Sequence, residues 1–201
     1  YYGVYLIKMN YKLLALGGDG IGPEVLESGL SILEAISKKN NLNFEISFDL
    51  IGGICWDKYG TFCRNSTIEK AIESDAILVG AVGGLKWDAM KIKGDPEEQD
   101  GLMCLRKKLG AFFGIRPGKN YKSLQNIIHF NKEYVQYYVI IMLREMCGGV
   151  MFSKPRGLKF LENGKRYGFD TAGYNEFEIR KFAKCGFELA KMYNKNIISI
   201  D

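Results

Sequence analysis

Short apolar runs alternate with amphipathic segments along the first part of the chain. The run "KLLAL" (12–16) predicts a buried strand, and apolar residues at helical spacing after Pro23 predict a helix. The alternating segment 43–49 predicts a second strand, 65–74 a short helix, and the apolar run 76–82 a third strand. This order of strand, helix, strand, helix, strand indicates an α/β layer structure with parallel strands.

The second part of the chain has a less regular pattern. It predicts a helix over 101–110, strands over 111–116 and 135–145, an extended arm or hairpin over 167–175, an amphipathic helix over 175–193, and the start of a strand over 196–201. The helix over 175–193 has the clearest apolar stripe, which includes Phe182 and Leu189.

Composition narrows the class of protein. The chain has 201 residues, and an apolar fraction of 47% supports a buried core rather than disorder. The 28 basic residues are scattered among 23 acidic ones, so the net charge of +5 predicts a solvated surface and no nucleic-acid partner. No apolar stretch approaches the length of a membrane span, which predicts no membrane partner.

The cysteines and the single histidine carry little catalytic signal. The five cysteines form no C-x-x-C pair, so reduced thiols in a cytoplasmic protein are favoured over a disulfide framework or a zinc site. His129 lies between apolar residues, which is more typical of a structural side chain than of a catalytic one.

The turn after the first strand is rich in glycine. Gly18, Gly20 and Gly22 are spaced G-x-G-x-G, whereas a dinucleotide fingerprint needs G-x-G-x-x-G and an acidic residue about 20 positions later. The spacing favours a tight strand-to-helix turn over a phosphate cradle, and the helix N-terminus would still favour a nearby negative charge.

Three arginines suggest an anion site. Arg106 lies in "GLMCLRKKLG", Arg116 in "GIRPGK" and Arg144 in "MLREMCGG", and two of them follow or end an apolar strand. Ligands of α/β proteins bind at strand ends, and arginine forms bidentate bonds with carboxylates. A dicarboxylate would suit three converging arginines, and three unrelated surface arginines are an equally weighted alternative.

Six ordered motifs resemble one family. The segments "GDGIGPEV", "AVGGLKWD", "GLMCLRKKLGAFFGIRPGK", "LREMCGGVMFSKPRG", "FDTAGYNEFEIRKFAKCGFELA" and "SID" resemble the N-terminal half of the isocitrate/isopropylmalate dehydrogenases over residues 9–201. The resemblance implies a two-domain α/β fold that is not a Rossmann fold, with a cleft between the domains and a homodimer. It also implies NAD-dependent oxidation of a 2-hydroxy acid, followed by decarboxylation assisted by Mg or Mn.

The resemblance assigns substrate roles. It matches Arg106, Arg116 and Arg144 to the family's substrate-carboxylate arginines. Leu102 and Met103 stand where isocitrate relatives have polar residues, so we expect an isopropyl group and favour 3-isopropylmalate, a substrate of leucine biosynthesis. Ordinary helix packing of these two side chains is the alternative, while Asp100 would repel a further carboxylate.

The resemblance also assigns cofactor contacts. Ile21 is implied at the nicotinamide end of NAD, and a loop from Gly84 to Glu98 is implied at the border of the cofactor. The implied contacts in this loop are Gly84, Leu85, Lys86, Trp87 and Glu98. Glu97 and Gln99 are rivals of Glu98, because the run "DPEEQDG" is one residue longer than usual.

Two departures from the family affect catalysis. Met151 occupies the position of the catalytic tyrosine, and a thioether cannot donate a proton. The family's catalytic lysine falls beyond Asp201, as do its metal-binding aspartates, so no metal ligand is expected in this chain. We therefore expect a fold truncated before its sheets are completed, and an inactive chain when these residues stand alone.

The domain assignment and two rival functions follow from the same comparison. Residues 1–111 are expected to belong to the larger domain, and 112–201 to the smaller one, with a dimerisation arm near 145–175.

One rival function is a related malate-type dehydrogenase that acts on isocitrate, tartrate or homoisocitrate. The other is a non-catalytic regulatory or dimerisation subunit, which Met151 favours.

Overall fold

The computed structural model describes residues 10–90, 94–124, 127 and 139–200. His129 and the first four residues of the strand predicted over 135–145 lie outside the described residues. The chain divides into two compact units, one ending at Gly110 and the other beginning at Ala111.

The first unit is built on three parallel strands. Strand β1 (Asn10–Gly18) lies between β2 (Asn43–Asp49) and β3 (Ala76–Ala81), and it pairs in parallel with both. The helices are α1 (Gly22–Asn40), α2 (Gly53–Tyr59), α3 (Asn65–Ile72), α4 (Leu85–Asp88), α5 (Pro96–Gln99) and α6 (Gly101–Leu109). The predicted parallel α/β order is confirmed, and the short helix α2 was not predicted because seven residues show no clear helical period.

The central strand forms the core of this unit. Leu14 and Leu16 of β1 are fully buried and pack in one cluster with Ile51, Ala71 and Leu105. A strand covered on both faces reads as a continuous apolar run, which explains the pattern "KLLAL". Each such side chain contributes roughly 2 kcal/mol by leaving water. Leu105 also anchors α6, which carries Arg106 as its next residue.

The glycine turn after β1 serves the packing of α1. Gly18 has a φ of +74°, which a residue with a side chain rarely adopts. A Cβ added to Gly22 would lie 2.2 Å from the carbonyl oxygen of Gly17, and one added to Gly80 of β3 would lie 2.3 Å from that of Gly22. The glycines therefore permit the tight turn and the close approach of helix and strand.

The second unit contains two antiparallel strand pairs and one long helix. Strand β4 (Phe113–Lys119) pairs with β5 (Val139–Glu145), and β6 (Gly157–Phe160) pairs with β7 (Arg166–Phe169). Short 3-10 helices span Lys122–Leu124 and Gly149–Met151, and helix α7 spans Glu176–Tyr193. The sequence predicts an extended arm or hairpin over 167–175, whereas the observed hairpin spans 157–169 and so begins ten residues earlier. Residues 170–175 form no strand.

The strand predicted over 196–201 is wrong for its described part. Residues 196–200 form no strand, because none of the described strands pairs with them. An apolar run supplies β propensity only, whereas a strand needs a hydrogen-bonded neighbour.

Helix α7 begins at a well-defined cap. The Asn175 side chain accepts a hydrogen bond from the Glu178 N–H at 2.9 Å, and the Glu178 carboxylate accepts one from the Asn175 N–H at 2.9 Å. Phe182 packs against Phe113 of β4 with a ring-centroid distance of 5.2 Å. Phe187 is 65% exposed, so the strand pair covers only part of the helix's apolar stripe. None of the described helices is both long and apolar enough to cross a bilayer.

A buried carboxylate at the end of β2 ties that strand to α3. Asp49 forms ion pairs with Arg64 and Lys70, and the Lys70 Nζ lies 3.0 Å from Asp49 Oδ2. Burial would raise the pKa of the Asp49 carboxyl, but hydrogen bonds from Lys70, the Leu50 N–H and Arg64 outweigh it and lower the pKa.

Replacing this carboxylate should give an acid-dependent loss of stability. We expect Asp49→Asn to reduce the free energy of unfolding by about 2 kcal/mol at pH 7, because Arg64 and Lys70 lose their charged partner. A lowered pKa stabilises the fold above the ordinary carboxyl value of 3.8, and this stabilisation is lost as the pH falls through the lowered pKa. Urea unfolding at a series of pH values from 7 to 3 measures the free energy of unfolding of the parent and of Asp49→Asn. The prediction is contradicted if the difference between the two does not become smaller in acid.

Candidate functional site

The loops that follow β1, β2 and β3 meet at the carboxyl edge of the sheet. Asp19, which follows β1, is 4% exposed. Its carboxylate accepts hydrogen bonds from the N–H groups of Gly53 at 2.8 Å, Ile54 at 2.7 Å and Gly83 at 2.9 Å. The reading of the sequence missed this residue, although an acidic residue inside a glycine turn after a buried strand was a usable signal.

Apolar side chains are exposed at the same edge. Ile21 follows the Asp19 turn and is 58% exposed, and Leu85, at the start of α4, is 90% exposed. Gly84 precedes α4 and has no side chain to block an approaching ligand. Two exposed apolar side chains and a glycine therefore lie along this edge of the sheet.

Lys86 and Trp87 contact α2. Lys86 Nζ lies 2.6 Å from Asp57 Oδ2, and Trp87 Nε1 donates to Asp57 Oδ1 at 3.2 Å. These hydrogen bonds lower the pKa of the Asp57 carboxyl. The Trp87 ring also covers Gly53, where an added Cβ would lie 2.0 Å from the ring. Both side chains therefore hold α4 against α2.

The acidic run before α6 folds back on itself. Glu98 Oε2 accepts a hydrogen bond from the Asp95 N–H at 3.1 Å, and Gln99 Nε2 donates to the Gly94 carbonyl at 2.6 Å. The Glu97 side chain lies outside the described residues. The Glu98 carboxylate retains its second oxygen for a ligand, because the Asp95 contact engages Oε2.

Helix α6 carries three of the predicted substrate residues. Asp100 caps it by accepting from the N–H groups of Leu102 at 2.7 Å and Met103 at 3.1 Å, so its charge is used within the helix. Leu102, Met103 and Arg106 are all half-buried. The buried Leu105 fixes the rotation of α6 and thereby leaves these three side chains accessible.

Arg116 and Arg144 share one face of the β4–β5 pair. In the antiparallel register Arg116 pairs with Met142 and Arg144 with Gly114, so the two arginines occupy diagonal positions on the same face. Diagonal side chains of this kind have Cα atoms about 7–8 Å apart. Helix α7 packs on the opposite face, through Phe113, so both guanidinium groups are exposed.

Met151 lies beside this arginine face. Arg144 Nη2 donates to Met151 Sδ at 3.0 Å. The turn between them is held by Glu145, whose carboxylate accepts from the N–H groups of Cys147 at 2.9 Å and Gly148 at 2.7 Å. Met151 is therefore in direct contact with a predicted substrate arginine.

The cysteines do not form a nucleophilic or metal-binding centre within the described structure. All five are thiols that form no disulfide with one another. Burial, with Cys104 next to it, raises the pKa of the Cys63 thiol to about 12, which leaves almost no thiolate at neutral pH. Over the part of the chain that is described, no group of three or more His, Cys, Asp or Glu side chains could hold a metal ion.

The chain belongs to the isocitrate/isopropylmalate dehydrogenase family, whose model matches residues 12–201. The α/β fold with a three-stranded parallel sheet and a separate second unit is that of the β-decarboxylating dehydrogenases.

Curated relatives identify the branch of the family that this chain is similar to. It is 40% identical to the 3-isopropylmalate dehydrogenase of Xanthomonas euvesicatoria over 96% of this chain and 54% of that protein. It is 42% identical to the 3-isopropylmalate dehydrogenase of Pseudomonas fluorescens over 96% of this chain and 53% of that protein. The chain thus spans about half the length of these relatives.

Solved structures show the same fold. An isocitrate dehydrogenase from Methylococcus capsulatus matches with a TM-score of 0.73 at 16% identity, over 92% of this chain and 49% of that one. A β-decarboxylating dehydrogenase from Thermococcus kodakarensis matches with a TM-score of 0.63 at 21% identity, over 92% of this chain and 47% of that one.

Proposed function

We propose that the complete gene product containing this chain catalyses the NAD-dependent oxidative decarboxylation of 3-isopropylmalate in leucine biosynthesis. The observation that carries the proposal is the pair Arg116 and Arg144 on the open face of the β4–β5 pair. Two exposed guanidinium groups at this spacing suit a dicarboxylate, and the names of the curated relatives support the particular substrate.

The arginines bind and orient the substrate. Arg116 and Arg144 would each donate two parallel N–H bonds to a carboxylate, which fixes the plane of that carboxylate as well as its position. Arg106 would add a third cationic contact, as the resemblance implies. Leu102 and Met103 expose part of their apolar surface in the first turn of α6, which suits an isopropyl group better than a third carboxylate.

The residues at the carboxyl edge of the first sheet fit NAD, which accepts a hydride when bound. The exposed Ile21 and Leu85 would contact the nicotinamide ring, and Gly84 would let the backbone approach the cofactor closely. Lys86 and Trp87 hold the loop through Asp57. The free oxygen of Glu98 would accept a hydrogen bond from the cofactor.

The described residues do not fit the divalent cation that the family implies. Mg or Mn needs several oxygen ligands, and the described part of this chain offers no cluster of three or more ligating side chains.

Homodimerisation in the cytoplasm is part of the proposal. The β6–β7 hairpin lies within the predicted arm, and its Leu158 and Phe160 are more than two-thirds exposed. Exposed apolar side chains on a hairpin support a protein contact there. The five thiols are consistent with a reducing compartment.

Met151 favours a second candidate function, a non-catalytic regulatory or dimerisation subunit. Its sulfur accepts a hydrogen bond from Arg144 where the family has a proton donor. Such a subunit would bind the dicarboxylate through the arginines without turning it over. Binding of 3-isopropylmalate without NADH formation, together with co-purification of an intact homologue, would distinguish it.

Spectrophotometric NADH formation tests the leading proposal. We expect the complete gene product to reduce NAD with 3-isopropylmalate and a divalent cation, with a lower kcat/KM for isocitrate, tartrate and homoisocitrate. Residues 1–201 alone should give no NADH, because the resemblance implies a lysine beyond Asp201. A complete gene product that prefers isocitrate, or that reduces no NAD with any of the four substrates, contradicts the proposal.

A further inference from the structure

Asp19 makes more hydrogen bonds between separate segments than its place in a glycine turn requires. Besides the three N–H groups on its carboxylate, its own N–H donates to the Ala81 carbonyl at 2.6 Å. Its carbonyl accepts from the Gly22 N–H at 2.8 Å. One residue thus joins the ends of β1 and β3 to the starts of α1 and α2.

The carboxylate itself, and not only the backbone, joins the loops. Its Oδ2 accepts from both Gly53 and Gly83, and its Oδ1 accepts from Ile54. Because the side chain is buried, water cannot readily replace a lost bond, and an N–H group left without its acceptor there is unfavourable.

This carboxylate fixes the start of the loop from 83 to 88 by binding the N–H of Gly83. Gly83 has a φ of +109°, which glycine adopts readily and other residues rarely do, so its backbone has other conformations open to it if the bond is lost. The Asp19 oxygen holds the Gly83 N–H at 2.9 Å in that geometry. The exposed Ile21 lies two residues after Asp19 in the chain.

We propose that Asp19 is a positioning residue that holds the 83–88 loop and the Ile21 turn in the arrangement that receives the nicotinamide dinucleotide. The cofactor part of this inference rests on the proposed function, because that function assigns NAD to these two segments. The carboxylate touches neither substrate nor cofactor and acts only through the backbone that it holds.

The test is Asp19→Asn in the complete gene product. An asparagine keeps the size of the side chain but loses the negative charge that strengthens all three hydrogen bonds, and its NH2 group replaces one of the two acceptors, so the Gly83 bond is weakened in either orientation of the amide. Asp49→Asn is the matched control, since Asp49 is also a buried carboxylate at a strand end of the same unit but bonds to Arg64 and Lys70. Amide hydrogen exchange and NAD kinetics are measured on both variants.

We expect amides of residues 83–89 to exchange at least about tenfold faster in Asp19→Asn than in the parent, and to be unchanged in Asp49→Asn. We expect the NADH dissociation constant and the KM for NAD to rise about tenfold in Asp19→Asn, with kcat at saturating NAD within about threefold. If Asp19 had only a structural role, Asp19→Asn and Asp49→Asn would both lower the global stability and the fraction of active enzyme. The KM for NAD would then not rise separately from kcat in Asp19→Asn.

Three results would overturn the inference. The first is loop exchange that is the same in Asp19→Asn and in Asp49→Asn. The second is faster loop exchange with an unchanged NADH dissociation constant, which removes the cofactor part. The third result is used if Asp19→Asn does not fold, and it is measured on the parent protein. If the Gly83 amide of the parent exchanges as fast as that of an unprotected peptide, the carboxylate does not hold the loop. A parent that binds no NADH contradicts the proposed function, and loop exchange then still decides the positioning role.

Discussion

Replacing Arg144 with glutamine should lower kcat/KM for 3-isopropylmalate by about 30- to 150-fold in the complete gene product. This corresponds to about 2–3 kcal/mol, the contribution of a charge-assisted hydrogen-bonded pair. Arg144 shares its strand face with Arg116. The loss of either guanidinium group should therefore leave the two oxygens of one substrate carboxylate without hydrogen-bond donors. Steady-state kinetics with saturating NAD measure the effect.

Two further variants make this result specific. Arg144→Lys keeps the charge but not the planar fork, so it should fall between the parent and Arg144→Gln. Arg180→Gln is the matched control, because Arg180 is an exposed arginine of the same unit whose partner among the described residues is Glu176 of the same helix, at 2.6 Å. If Arg144→Gln and Arg180→Gln have the same kcat/KM, the arginine face does not bind the substrate.

Replacing Met151 with tyrosine should raise the turnover of the complete gene product by about 100-fold. A positioned general acid contributes 10²–10⁴-fold, and the thioether of Met151 supplies none. Because Met151 already contacts the Arg144 guanidinium, a phenol placed there would have a cation beside it. A neighbouring cation favours the phenolate and so makes the phenol a stronger acid.

The control for this variant is Met151→Phe, which adds the ring without the hydroxyl. The measurement is kcat for NADH formation together with the rate of CO2 release, so that oxidation and decarboxylation are followed separately. An equal gain with phenylalanine would show that packing, and not proton donation, limits the parent. No gain with tyrosine would show that another group protonates the product, or that the parent does not carry out this reaction.

Local patterns were sufficient where neighbouring residues decide the structure. The apolar run of β1, the alternation of β2 and the amphipathic stripe of α7 each lie within one element, and each predicted its element from the sequence. The strand predicted after Asn194 was wrong, because a strand depends on a partner that its own residues do not specify.

The candidate site was only partly visible for the same reason. The sequence singled out Arg116 and Arg144, but their common face depends on the register of two strands that are far apart in the chain. It singled out Lys86 and Trp87, and the structure adds that both bond to Asp57 of α2. It singled out the charge of Asp100, and the structure adds that this carboxylate caps α6.

The sequence by itself determined the order of the main strands and helices of the first unit, the parallel α/β class and the family. Periodicity, turn residues and ordered motifs are properties of neighbouring residues, so no fold is needed to see them. Only the tertiary structure decided which face the arginines share and what Asp19 holds. That carboxylate bonds to N–H groups 34 and 64 residues away, and contacts of this kind exist only once the strands have assembled.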